Sequence, residues 1–318
     1  MGRAKSMNSI VTDKNKLSVR IKKELLKNYE LYILSLIPLA VLIIFSYLPM
    51  YGILIAFKNF IPSEGIWGSP FVGMEHFRRL FAGYNFWRLI KNTLVLSLYS
   101  LAAGFPLPII FAIMLNELKY TKIKKTVQMI SYAPHFLSTV VLVSLITVFF
   151  GNSGGLVNML IKKMGGQAID FQTNIKIFKH LYVWSDVWAG LGWNSIIYIS
   201  ALSGIDPQIG EAAIIDGASR IKRIRHVDIP GILPTAIILL ILRCGSIMSI
   251  GFDKAFLMQN DLNLEASEII STYVYKVGIQ GAEYSFSTAV GLFNTFINFV
   301  LLLSVNKISN KVSETSLW

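Results

Sequence analysis

Arg243 carries the sharpest chemical demand in this chain. It lies about 11 residues into an apolar run from Ile232 to Met258. On a helix rising 1.5 Å per residue, that is roughly 16 Å in, near the centre of a bilayer. A cation facing lipid there costs at least about 2.5 kcal/mol, so the guanidinium must face protein or a water-filled cavity. Lys254 follows after eleven residues, close to three helical turns, with Ser246, Ile247 and Ile250 between them on nearly the same face. Such a cationic stripe suits an acidic solute, or a carboxylate on a second chain. Upstream, Trp193 and Tyr198 offer aromatic faces and Asn194 offers an amide for hydroxyl groups.

A second stretch, Ser203 to Pro234, is built from small residues, helix formers and basic charges between two apolar runs. It reads as two short helices with Gly217 at the bend, because glycine tolerates backbone conformations that other residues resist. Ala212, Ala213 and Ala218 make a low surface that fits a groove on another protein. Asp216, one residue before the bend, is placed to cap the second helix. Pro230 and Pro234 reset the backbone before the next helix. Other reactive residues do not assemble. His76, His135, His180 and His226 are scattered, with no HExxH, and Cys244 is the only cysteine. No GxxxxGK[ST] phosphate loop occurs, so the chain is expected to hydrolyse no ATP and to hold no metal or cofactor itself.

The elements that position these residues are membrane helices. Of 318 residues, 53% are hydrophobic and 15% charged, with mean hydropathy +0.55. Soluble domains carry about 25% charge. The net charge of +12 is explained by membrane topology rather than nucleic acid. Residues 1–30 form a basic tail in which Leu17, Ile21 and Leu25 recur every four residues, an interfacial amphipathic pattern that can lie on lipid. Six spans are expected, at about 31–57, 92–116, 129–150, 181–202, 232–258 and 284–305. Pro106 and Pro108 predict a kink in the second. The proposed inner segments hold eighteen Lys and Arg and the outer ones nine, over nearly equal lengths. That bias puts both termini and the 203–234 loop in the cytoplasm. The expected organisation is a basic tail at 1–30, a first helix and external loop at 31–89, a six-helix core at 90–305, and a tail at 306–318.

Glu211-Ala212-Ala213, Gly217, Val227, Ile229 and Pro230 resemble the EAA signature of ABC-importer membrane subunits, E-A-A-x3-G-x9-I-x-L-P. Valine and isoleucine replace the signature's isoleucine and leucine. With six spans, and this loop between the fourth and fifth, the chain resembles type I ABC importer permeases, the maltose-transporter class. YLPMYGILIAFKNF and GSPFVGMEHFRRLF look like the polysaccharide and aldouronate permeases within that class.

The resemblance implies an all-α bacterial plasma-membrane protein that pairs with a second, related permease. It implies two cytoplasmic ATPase subunits, which would hold ATP and Mg2+, and an extracellular solute-binding protein. Glu211, Ala212, Ala213, Asp216, Gly217, Ala218, Ile229 and Pro230 would form the ATPase-coupling set. Arg220, Lys222, Arg223 and Arg225 could pair with ATPase acids or lipid phosphates, or serve topology alone. The substrate would be a sugar, and Trp193, Asn194, Tyr198, Arg243, Ser246 and Ile250 would line its path. A stand-alone secondary transporter would favour inverted repeats and midplane acids, and the sequence displays neither.

Overall fold

The computed structural model describes residues 23, 24, 27–152, 154–313, 316 and 317. Every regular element among them is helical, apart from one isolated bridge between Lys58 and Phe71. The tail helix expected around Leu17, Ile21 and Leu25 lies outside the described residues. The first long helix, α1 (Tyr29–Phe57), contains a π-helical turn and ends in a 3-10 stretch. None of its residues from Tyr29 to Met50 is buried, so it leans on the rest only through its last turns. A short amphipathic helix, α2 (Glu75–Ala82), then turns Phe77 and Leu80 inward.

Helix α3 (Phe86–Asn116) is interrupted at Phe105, where Pro106 and Pro108 start a new segment. The predicted kink is therefore present. Helices α4 (Thr121–Phe136) and α5 (Thr139–Phe150) meet at a bend of 101°. The expected span 129–150 is thus corrected: its first part belongs to a helix that starts at Thr121, and the bend separates it from the rest. Proline supplies no N–H at position 134, and the Ser138 side chain accepts a bond from Val141 N, which starts a fresh helix. A short helix, α6 (Leu156–Lys163), follows.

Helix α7 (Ile175–Ser203) is the hub. Asn174 caps it, so it begins six residues before the expected boundary at 181. Phe178, Tyr182 and Val183 pack against Leu96, Tyr99 and Ala103 of α3. Further along, Tyr198 and Leu202 pack against Ala112 and Ile113. At Gly192, a side-chain Cβ would lie 2.3 Å from the Ser131 carbonyl oxygen, so only glycine lets α4 approach this closely. These contacts work by close packing and hydrogen bonding, since lipid tails are as apolar as leucine.

After α8 (Pro207–Ile215), helix α9 runs Arg220–Cys244 without interruption. The expected fifth span 232–258 is corrected at both ends. Pro230 and Pro234 lie within α9 rather than before it. A π-helical turn at Ile224–Asp228 has already broken the i→i−4 ladder, so Pro230 fits without a missing bond. At the far end, Gly245 to Gly251 is irregular and leads into α10 (Phe252–Met258). Asn298 makes this possible. Its Oδ1 accepts from Met248 N at 2.9 Å and its Nδ2 donates to Ser249 Oγ at 2.8 Å. Asn298 lies on the last helix, α12 (Tyr284–Ser313), which follows α11 (Ile270–Tyr275).

Among the described residues, four helices are long and apolar enough to cross a membrane, or five if the bent α4–α5 pair is one span. Helix α7 has the length but carries Lys176, Lys179, His180, Asp186 and Asn194. Replacing Asn298 with leucine leaves the Met248 N–H without its partner. The expected cost is about 1–3 kcal/mol, read as a lower melting temperature of the purified protein in detergent. An unchanged value would show that another group holds the break.

Candidate functional site

The kink in α3, the middle of α7 and the last turn of α9 enclose a cavity of about 200 Å³. Ser100, Gly104 and Pro108 come from α3, Asp186, Leu191 and Asn194 from α7, and Arg243 from α9. A second cavity of about 280 Å³ shares Gly104, Pro108, Asn194 and Arg243, and adds Trp193, Tyr198 and Leu239. The structure thus brings Trp193, Asn194, Tyr198 and Arg243 together. Each arrives for a local reason. The α3 kink exposes Gly104, whose missing side chain leaves Arg243 Nη1 within 3.7 Å of the place a Cβ would occupy. Trp193 stacks flat on His135 at 4.3 Å between ring centres, and His135 belongs to the turn that ends α4. No carboxylate among the described residues lies within ion-pair distance of Arg243.

The expected stripe from Arg243 to Lys254 is not formed, because the helix carrying it stops at Cys244. Ser246 turns its hydroxyl back onto the Arg243 carbonyl. Ile250 packs against the cluster around Tyr182 and Val183. Neither lines the two cavities. Lys254 is buried, with Nζ donating to Asp186 Oδ1 at 2.6 Å and to the Tyr182 carbonyl at 2.7 Å. Sequence reasoning missed the roles of Asp186, Ser100 and Gly104. Only the proline pair just beyond Gly104 hinted that α3 opens there.

The 203–234 stretch folds as a capped helix and a tight turn. The Asp206 side chain accepts from Gln208 N at 2.9 Å and Pro207 opens α8. Gly217 ends it with φ +74°, in the left-handed region. Its N–H bonds to Ile214 O, and Ala218 N bonds to Ala213 O, which closes the helix end. The bend at Gly217 is as expected, but the second helix is not short, since it is the base of α9. Ser219, not Asp216, caps it, and Asp216 sits at the end of α8. Glu211 and Ala212 are exposed, Ala213 and Ala218 half-buried, and Ile229 and Pro230 exposed on α9. Arg220 and Arg223 do not wait for an external acid. Glu117, just beyond α3, takes Arg220 Nε at 3.1 Å and Arg223 Nη2 at 2.6 Å.

A bundle of long apolar helices around an internal polar cavity, with a capped helix and turn at one end, defines a membrane permease. Residues 80–314 match the family of binding-protein-dependent transport system inner membrane components, and the chain belongs to that family. It is 39% identical over 315 residues to the polygalacturonan/rhamnogalacturonan transport system permease protein YteP of Bacillus subtilis, covering 99% of this chain and 98% of that one. It is 41% identical over 288 residues to protein LplB of the same organism, covering 91% of each. A crystal structure of a bacterial ABC transporter involved in the import of the acidic polysaccharide alginate contains a chain with TM-score 0.86 and 37% identity. That match covers 92% of this chain and 99% of its counterpart.

The Glu117 clamp yields a structural test. Glu117→Ala frees Arg220 and Arg223 together, so trypsin should cut the α8–α9 junction severalfold faster in the purified protein. An unchanged cutting rate would mean that packing alone holds the junction.

Proposed function

We propose that this ABC-importer permease carries an acidic oligosaccharide and is driven by separate ATPase subunits that dock on residues 203–234. The observation that carries the substrate reading is Arg243. It is a guanidinium without an ion-pair partner among the described residues, and it lines a cavity edged by Asn194, Tyr198 and Trp193. A permanently charged planar fork matches a carboxylate with two parallel hydrogen bonds. Indole and phenol rings suit the apolar faces of sugar rings, and an amide suits hydroxyls. Relatives named for polygalacturonan/rhamnogalacturonan transport and for alginate import support the same class of solute.

On this reading, the chain forms half of the path, with a second permease opposite. The two ATPases hold ATP and Mg2+, and an extracellular solute-binding protein delivers the sugar. Six spans cross the bacterial cell membrane, with both termini in the cytoplasm. α8 with its exposed Glu211 and low alanine surface enters a groove on the ATPase. Transport then follows a population shift between outward- and inward-open states.

The test uses the assembled importer with unesterified and methyl-esterified oligogalacturonate. Arg243→Gln should leave assembly intact and lower uptake of the free acid roughly tenfold more than that of the ester. Disassembly of the complex would instead make Arg243 a partner for a carboxylate of the second permease. Equal loss of both sugars would remove it from substrate recognition.

Docking is tested at Gly217. A β-branched residue is strained at φ +74°, although open space surrounds the site. Gly217→Val should leave membrane levels near normal while solute-stimulated ATPase activity falls. Full stimulation would remove the bend from the coupling route.

A further inference from the structure

Asp186 and Lys254 form the ion pair closest to the Arg243 cavity, and their two halves are unequally exposed. The Lys254 side chain is 5% exposed and that of Asp186 is 45%. The ammonium is held on three sides, by Asp186 Oδ1, by the Tyr182 carbonyl and by the Tyr182 ring at 4.6 Å. Two of its three N–H groups are bonded, and burial keeps the third from a solute. The aspartate differs. It is a wall of the cavity that Arg243 and Asn194 also line, and among the described residues Oδ2 accepts no protein hydrogen bond.

We infer that Asp186 accepts sugar hydroxyls in the cavity and that Lys254, from behind the wall, cancels its charge. The cavity therefore keeps the positive charge of Arg243 for an acidic sugar. The inference rests on the acidic-oligosaccharide reading of Arg243. A carboxylate is an acceptor only, and its bonds to hydroxyl donors are shorter and stronger than neutral ones. It is the natural partner for a solute rich in O–H groups. Left uncompensated in a cavity of about 200 Å³, however, it would repel a uronate and draw the guanidinium to itself. Lys254 removes that conflict without touching the solute. Its position on α10, beyond the break that ends α9, is what allows it to reach Asp186 from outside the cavity.

Charge logic and a merely structural ion pair give different results. The assembled importer is assayed in proteoliposomes with unesterified and methyl-esterified oligogalacturonate, and the readout is the ratio of acid to ester uptake. Lys254→Met should lower the ratio roughly tenfold, because the aspartate is left uncompensated. Asp186→Asn should raise the ratio above wild type, because the lysine charge is then unopposed, while uptake of both sugars falls with the weaker acceptor. The double variant should return the ratio to near wild type. Opposite shifts in the two single variants, and their cancellation, are not expected of a pair that only holds α10 against α7. Either single variant carries the test if the other fails to assemble. A wild-type importer that does not prefer the acid overturns the reading of Arg243 and this inference with it. A wild type that prefers the acid, with ratios unmoved or moved in the same direction by both variants, overturns this inference alone.

Discussion

Inside apolar surroundings a helix can break only where something takes over the hydrogen bonds it gives up. That constraint shapes this molecule. Three breaks in the long helices of the described residues show how. At Phe105 a proline pair restarts α3. At 137–138 a serine caps the new helix α5. At 245–251 Asn298 reaches across from α12 to hold the freed backbone. Each break also touches the same place. Gly104 and Pro108 wall the cavity, Arg243 closes α9 beside it, and His135 from the α4–α5 corner stacks on Trp193.

The same constraint explains what could be read from the sequence. Apolar runs separated by charged segments fixed the all-helical class, and the kink at Pro106 and Pro108 was visible because proline announces itself. The end of α9 was not visible. The run from Ile232 to Met258 stays apolar through the break, and the residue that makes the break tolerable, Asn298, lies about 50 positions away. The early start of α9 was hidden for the opposite reason. Pro230 and Pro234 look like stops, yet a π-helical turn just ahead accommodates Pro230, and Pro234 sits inside the continuing helix.

The candidate site divides along the same line. Trp193, Asn194, Tyr198 and Arg243 were legible because a guanidinium, an indole and an amide are unusual in apolar runs and must face something polar. Ser246 and Ile250 were assigned by helical periodicity, and they fell away when the helix did. Lys254 was legible as a charge but not as a buried one, since its partner Asp186 lies 68 positions upstream on another helix. In the 203–234 loop, Gly217 was found by its chemistry. The pairing of Arg220 and Arg223 with Glu117 was not, because basic residues at a membrane edge have an ordinary topological explanation.

Helices α3 and α9 are joined at two levels, and this gives the proposed docking a mechanical route. At the base, Glu117 grips Arg220 and Arg223. At the far end, Arg243 lies against Gly104 at the kink. Twenty residues separate Arg223 from Arg243, roughly 30 Å along a helix. A displacement of α8 would enter α9 through the turn at Gly217. The clamp would carry α3 with it at the base. Before Phe105, α3 is fixed to α7 and to α11, through Leu96 against Tyr182 and Thr93 on Ile270 N. Both halves of α3 pack on α7, the second through Ala112 and Ile113, but only that second half is also clamped to α9, so the kink between them is the place where a motion of α9 would appear. That place is the cavity wall. A motion at the α8 end of α9 would therefore change the setting of Arg243 against Gly104.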